Sequence, residues 1–254
     1  MMNLKPRLPQ NAVQSALFVT FSLPMNPVKH LLATCVSASL SLCPAAEPGD
    51  PGFSTLFDGT TLTGWEQHSG TAEYRVENGA IVGKTVPNTG NSFLCTSRKY
   101  GNFILELEFK VDPSMNSGIQ FRSNYYTQET EVEINGKKKK FPADRVHGYQ
   151  YEIDPSARAY TGGVYDEGRR GWLFDLKNNE AARKAFKQGE WNQARIECRG
   201  SSIRTFINGV LAASFNDDLT KDGVIALQVH GIGKKKEAVG KEVMWRNIRI
   251  KELP

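Results

Sequence analysis

The sequence predicts an all-β domain, a two-sheet antiparallel jelly-roll sandwich with one short helix. Three observations carry that expectation. Apolar and polar residues alternate with the strand period of two in at least seven segments. Turn signals separate these segments about every ten residues, as in sandwiches. Only residues 178–187 show helical periodicity, in one short amphipathic piece.

The chain has 254 residues, and residues 1–46 do not read as part of the sandwich. Residues 1–24 lack periodicity and acidic side chains. From Met25, Met-Asn-Pro-Val-Lys-His leads into an apolar run from Leu31 to Cys43 and then Pro44-Ala45-Ala46. That is the layout of a secretory signal peptide. The run is too short to span a bilayer as a mature helix. Ser37, Ser39 and Ser41 spoil it as a core helix. Residues 1–46 are therefore expected to be an N-terminal extension and signal peptide, with the true start at Met25. The mature protein would be exported, to the periplasm or the cell exterior. Lipoprotein anchoring through Cys35 or Cys43 is disfavoured, because Thr34 and Leu42 are poor residues before a lipidated cysteine. Residues 47–52 form a Pro/Gly linker, and residues 53–254 the jelly-roll domain.

Loss of residues 1–46 removes Lys5, Arg7 and Lys29 with no acid, so the net charge falls from +5 to +2. That balance offers no footprint for nucleic acid, and no segment suits a membrane span. Cys95 and Cys198 remain, both in strand patterns. Export would permit a disulfide, but two buried thiols are the preferred expectation.

The elements follow in order. Phe53 to Gly59 and Leu62 to Trp65 open the domain, and Asn78-Gly79 makes a hairpin turn before Ile81. Phe103 to Val111 sends Phe103, Leu105, Leu107, Phe109 and Val111 inward. Gly118 to Ser123 buries Ile119 and Phe121 and turns Gln120 and Arg122 the other way. Residues 128–141 set Glu131 and Glu133 against Lys137 to Lys140 across Asn135-Gly136. This reads as a charge-paired, solvated edge hairpin that could overhang a cleft. In Gly148 to Asp154, Gln150, Glu152 and Asp154 share one face. Trp191 to Arg199 buries Ala194, Ile196 and Cys198. Asn208-Gly209 joins Ile203–Ile207 to Val210–Phe215 through a type I′ turn. Val224 to His230 leaves Gln228 and His230 opposite Ile225, Leu227 and Val229. In the closing strand, Val243 to Ile250, parity breaks at Arg246-Asn247, which predicts a bulge. Trp65, Trp191 and Trp245 sit in apolar patterns and read as core. Trp172 follows Tyr165 in a loop, where it can stack on a sugar ring or cap the core.

Parity thus collects Gln120, Arg122, Gln150, Glu152, Asp154, Gln228 and His230 on one face. The two carboxylates at i and i+2 lie ~7 Å apart along the strand, close enough to perturb each other's ionisation. Carboxylates and amides with few long solvating side chains suit a saccharide trough. No ligand spacing joins His147, His230 and Glu152 as a metal set, and no cofactor is expected.

Several stretches, taken in order and spacing, resemble the 3-keto-disaccharide hydrolase domain family. They are Leu56-Phe57-Asp58-Gly59 with Gly64-Trp65, Asn116-Ser117-Gly118-Ile119-Gln120-Phe121-Arg122 and Gly148-Tyr149-Gln150-Tyr151-Glu152-Ile153-Asp154. Gly189-Glu190-Trp191-Asn192, Ile207-Asn208-Gly209 and Trp245-Arg246-Asn247-Ile248-Arg249-Ile250 complete the set. The resemblance runs from about Phe53 to Leu253. It implies the concanavalin A-like lectin/glucanase type of jelly roll and action on glycosides oxidised at C3, in bacteria that export such proteins. Glu152-Ile153-Asp154 also looks like the start of the Glu-x-Asp-x-(x)-Glu motif of glucanases on that fold. The closing acid would fall at Ser156 or Ala157, so the two-carboxylate retaining mechanism lacks its acid.

A C3 ketone acidifies the C2 proton, so elimination across C1–C2 followed by hydration becomes available. On that reading Glu152 or His230 serves as base and acid, and Arg122 stabilises the enolate. Gln120, Gln150, Asp154, Gln228, Trp172 and Tyr165 would bind substrate. Arg122 can equally be a structural partner of Glu152. A non-catalytic lectin-like module is the competing expectation, since the fold serves binding and catalysis alike. An interaction domain within a larger exported assembly is a third, and it would need a large exposed apolar patch.

Overall fold

The computed structural model describes residues 51–254. The expected leader and its cleavage near Ala46 lie outside them. Two antiparallel sheets pack face to face. One runs, in spatial order, Val210–Asn216, Ser202–Ile207, Asn192–Arg199, Phe103–Val111, Glu242–Glu252, Ala80–Lys84 and Glu73–Glu77, with Ser54–Thr55 also pairing onto Glu242–Glu252. The other runs Gly171–Phe174, Val164–Glu167, His147–Ile153, Ser117–Asn124, Val224–Val229, Ser92–Thr96 and Trp65–Ser69.

Alternation decides what fills the space between them. Phe103, Leu105 and Phe109 from the first sheet join Ile119, Tyr149, Tyr151 and Leu227 from the second in one buried core. Each such side chain contributes about 1.5–3 kcal/mol by leaving water. Trp65 and Trp245 belong to this core, whereas Trp191 is half-buried beneath Arg246. The expected helix is Glu180–Ala185, and the Asn179 side chain caps it by accepting from the Ala182 amide. The predicted bulge in the closing strand lies between Arg246 and Arg249, with Asn247 at φ 53°. Cys95 and Cys198 are buried free thiols in different sheets.

The charged hairpin is Thr130–Ile134 with Lys137–Phe141, and Glu131 and Glu133 do face Lys140 and Lys138. It extends neither large sheet and forms a two-stranded sheet of its own. The chain leaving it brings Val146 onto Phe93, Cys95, Val224 and Ala226 on the outer face of the second sheet, a small second core that also takes Tyr125. One part of that face is therefore roofed. Another part stays open, around Gln150, Glu152 and Gln228. His147 is buried on the roofed side between Phe141 and Tyr126, so it does not join His230.

Arg122 corrects the parity argument. Pairing slips between Tyr149 and His147 on one flank of Ser117–Asn124, and between Ala226 and Val224 on the other. The extra residue is a bulge at Arg122, whose φ is 45°. Glycines on both neighbouring strands admit it. A Cβ on Gly148 would lie 2.4 Å from Ser123 Oγ, and one on Gly223 would lie 2.3 Å from the Ser123 carbonyl oxygen. The bulge carries Arg122 off the outer face. Its guanidinium donates to Gly101 O and Gly200 O at 2.8 Å each and to Asn102 Oδ1 at 3.3 Å, tying the second sheet to an end of the first.

Candidate active site

The open part of the outer face is a cleft of about 310 Å³. Its floor is a ladder of amides. Gln120 and Gln228 both donate to Gln150 Oε1, and Gln150 Nε2 donates to Glu152 Oε2 at 2.7 Å. Gly118 makes room for this ladder, because a Cβ there would sit 2.5 Å from Gln150 Cδ. Asn116 Nδ2 donates to Glu152 Oε1 at 2.7 Å. Both oxygens of this buried carboxylate are thus held by side-chain amides.

Beyond the strand end, residues 154–163 fold back on Glu152. Gly162 N donates to Glu152 O, and Glu152 N donates to Gly163 O, both at 2.9 Å. The returning loop carries Arg158 over the cleft. Asp154 Oδ2 accepts from Arg158 Nε at 2.7 Å, and Arg158 Nη2 lies 3.7 Å from Glu152 Oε1. Burial would raise the Asp154 carboxyl, but its bonds from Ser156, Arg158 and the Tyr160 amide outweigh that and hold it below the usual range. The opposite holds for Glu152. Burial pushes it up and Asp154 adds to this, more than Asn116, Gln150 and Arg158 recover. A raised carboxylate is a stronger base than an ordinary one.

Trp172 and Tyr165 form one wall, edge to face at 5.4 Å, and the Arg158 guanidinium lies 5.2 Å from the Trp172 ring. His230 forms another part of the lining. Its Nδ1 lies 2.8 Å from Gly231 O, and as the donor there it leaves Nε2 free. A second carboxylate, Glu167, also lines the cleft, paired with Arg145 Nη2 at 2.6 Å. Burial raises it as well, against Arg145, His230 and Asn91. Glu167 stands opposite Gly148, four residues along the strand from Glu152. The two backbones are therefore ~13 Å apart along the strand direction.

Of the residues expected from sequence, Glu152, His230, Gln150, Gln228, Trp172 and Tyr165 line this one cleft. Three do not. Arg122 has left the face through its bulge. Gln120 is wholly buried behind Gln150, and Asp154 is turned to its own loop. The cation of the cleft is Arg158, which sequence reasoning missed because it comes from a loop with no period. Glu167 was missed although it stands two residues from Tyr165 and shares its face by simple alternation. Asn116 lies within the Asn116-to-Arg122 stretch but just before its strand, outside the reach of parity.

A family model described as the 3-keto-alpha-glucoside-1,2-lyase-like domain matches residues 52–251. The chain belongs to that family. It is 23% identical over 245 residues to a 3-keto-disaccharide hydrolase of Bacteroides thetaiotaomicron, covering 80% of this chain and 79% of that one. Among solved structures it resembles the carbohydrate binding module CBM66 of Bacillus subtilis, with a TM-score of 0.50, 15% identity, and coverage of 76% and 98% of the two chains. A Bacillus subtilis protein of unknown function with a galectin-like fold gives a TM-score of 0.51 at 8% identity, over 75% and 90% of the chains. These likenesses establish the sandwich type. Membership of that family makes this a carbohydrate-active protein.

Proposed function

We propose that the protein cleaves glycosides oxidised to a ketone at C3, by elimination and then hydration. The Glu152 carboxylate removes the C2 proton, and the electron pair passes into an enolate on the C3 oxygen. As the enolate collapses, the C1–O bond breaks and His230 Nε2, in its protonated form, gives the departing oxygen its proton. Water then adds to C1 of the enone, its proton passing to His230, and Glu152 returns a proton to C2. The net change is one water consumed and one 3-keto sugar and one alcohol released. Arg158 faces the enolate in the role first assigned to Arg122. Gln150 and Gln228 form the polar floor, and Trp172 and Tyr165 flank the ring.

One observation carries this reading: a buried carboxylate, raised in pKa and held by two amides, shares one cleft with a cation and a histidine. The 23% identical relative adds support for a 3-keto substrate. Export, expected from the leader, is part of the proposal and fits a substrate met outside the cytoplasm. The test is incubation with a panel of 3-keto-glucosides beside their unoxidised parents. Aglycone release from the oxidised set alone is the expected result. Binding without release from either set would instead establish a lectin-like module.

A further inference from the structure

A second cavity, of about 190 Å³, adjoins the cleft, and Asn116 and His230 line both. The two spaces therefore meet at these two side chains. Their chemistry differs. The cleft holds carboxylates and amides. The neighbouring cavity is less polar: Met115, Ile232 and Ala238 line it beside Thr85, Ser114, Lys235 and Lys241. Its remaining polar groups are mostly engaged. Thr85 Oγ1 donates to Ala238 O at 2.6 Å and accepts from the Lys241 amide. Ser114 Oγ donates to Asp112 Oδ1 at 2.6 Å, and Lys241 Nζ pairs with Asp112 at 3.2 Å. Asn116 is committed to Glu152. Lys235 is different: it is exposed, and among the described residues it has no carboxylate partner. The loop that carries Ile232 and Lys235 is anchored at both ends, by Gly231 N on Asn91 Oδ1 at 2.9 Å and by Thr85 at Gly240 and Lys241. The wall is built before any ligand arrives.

Resting on the elimination reading, we infer that this cavity receives the leaving group and selects an apolar ring bearing an acidic substituent over a second sugar. Glu152 fixes C2 in the polar cleft, so C1 and its oxygen point to the proton donor, His230. Whatever is bonded to that oxygen passes His230 into the less polar cavity. A sugar there would surrender the hydration of its hydroxyls to groups already bonded elsewhere. An apolar ring gives up nothing, and an acidic group at its far end meets Lys235.

The test uses three 3-keto-glucosides with the same glycone, carrying cyclohexanol, 4-carboxycyclohexanol or glucose as the leaving alcohol. Selection is read in KM, with kcat recorded separately, because a glucose hydroxyl leaves more readily than cyclohexanol. The KM for the cyclohexyl compound is expected to be about tenfold below that for the glucosyl compound. The carboxylate is expected to lower it a further ~3-fold at low salt, an advantage that added salt erodes. In Lys235→Gln the ratio between the two cyclohexyl compounds is expected to fall to about one. A glucosyl KM equal to or below the cyclohexyl value overturns the apolar assignment. An unchanged ratio in Lys235→Gln overturns the acidic one. Failure to cleave any of the three would show that the elimination reading itself is wrong, and this inference would fall with it.

Discussion

Replacing Glu152 by Gln tests the site most directly, because the structure says what the new amide must do. Asn116 and Gln150 both donate to the carboxylate, at 2.7 Å each. Gln150 cannot reverse its carboxamide, since its oxygen already accepts from Gln120 and Gln228. The introduced amide must therefore turn its oxygen to Gln150 and its NH₂ to Asn116. Asn116 is only half-buried and can flip to accept. Two charge-assisted bonds become neutral amide bonds, partly offset by relief from burying a charge, for a net cost of ~1 kcal/mol. In a domain of this size that lowers Tm by about 2–4 °C. Chemistry suffers far more, since no base remains at C2, and kcat for a 3-keto-glucoside is expected to fall ~10²-fold or more with binding retained. The wild-type rate should rise with pH through the Glu152 pKa, which burial lifts above the ordinary glutamate range. That limb should vanish in the variant. Aglycone release across pH, calorimetric binding and thermal melts measure all three quantities. Equal turnover in Glu152→Gln would show that Glu152 is not the base and move the test to His230. A Tm loss beyond ~10 °C would refute the flip argument.

Gly118→Ala should place a methyl 2.5 Å from Gln150 Cδ, where the amide ladder cannot yield. A loss of ~1–3 kcal/mol by denaturant melts is expected, together with a fall in kcat; full activity would mean that Gln150 does not position Glu152. Arg122→Met removes three hydrogen bonds at the sheet bulge. It should cost ~3 kcal/mol, about 6–12 °C in Tm, while turnover per folded molecule is kept. Loss of turnover in a stable Arg122→Met protein would return Arg122 to the chemistry. Burial, with Arg169 and Arg145 nearby, holds His147 down at about 4. The unfolded chain binds that proton first, near pH 6.5. Stability carried by neutral His147 is thus whole above about pH 6.5 and is lost as pH falls toward 4, by up to ~3 kcal/mol. His147→Phe should then gain stability over wild type as pH drops from 7 to 4.5. A constant Tm gap across that range would show His147 titrating normally.

The alternating strands could be read because side-chain parity is a local property. Gln150, Glu152 and Gln228 share a face for reasons contained in a few consecutive residues each, and the order of the strand motifs pointed to the family. Parity failed at Arg122 because a bulge is negotiated between three strands. It exists where Gly148 and Gly223, distant in sequence, leave space on both flanks of Ser123. Arg158 could not be read from periodicity, since a loop has none; its place over Glu152 depends on the backbone bonds of Gly162 and Gly163 to the strand end. The hairpin's charges predicted its pairing but not that the following Val146 would roof part of the face, because burial against Phe93 and Ala226 involves strands far along the chain. The amino-acid sequence by itself thus determined the sandwich, the inward and outward sets of its regular strands, and the carboxylate at the centre of the polar face. Only the tertiary structure decided which cation meets that carboxylate, which part of the face stays open and where the cleft continues, because those outcomes rest on contacts between segments that no local period connects.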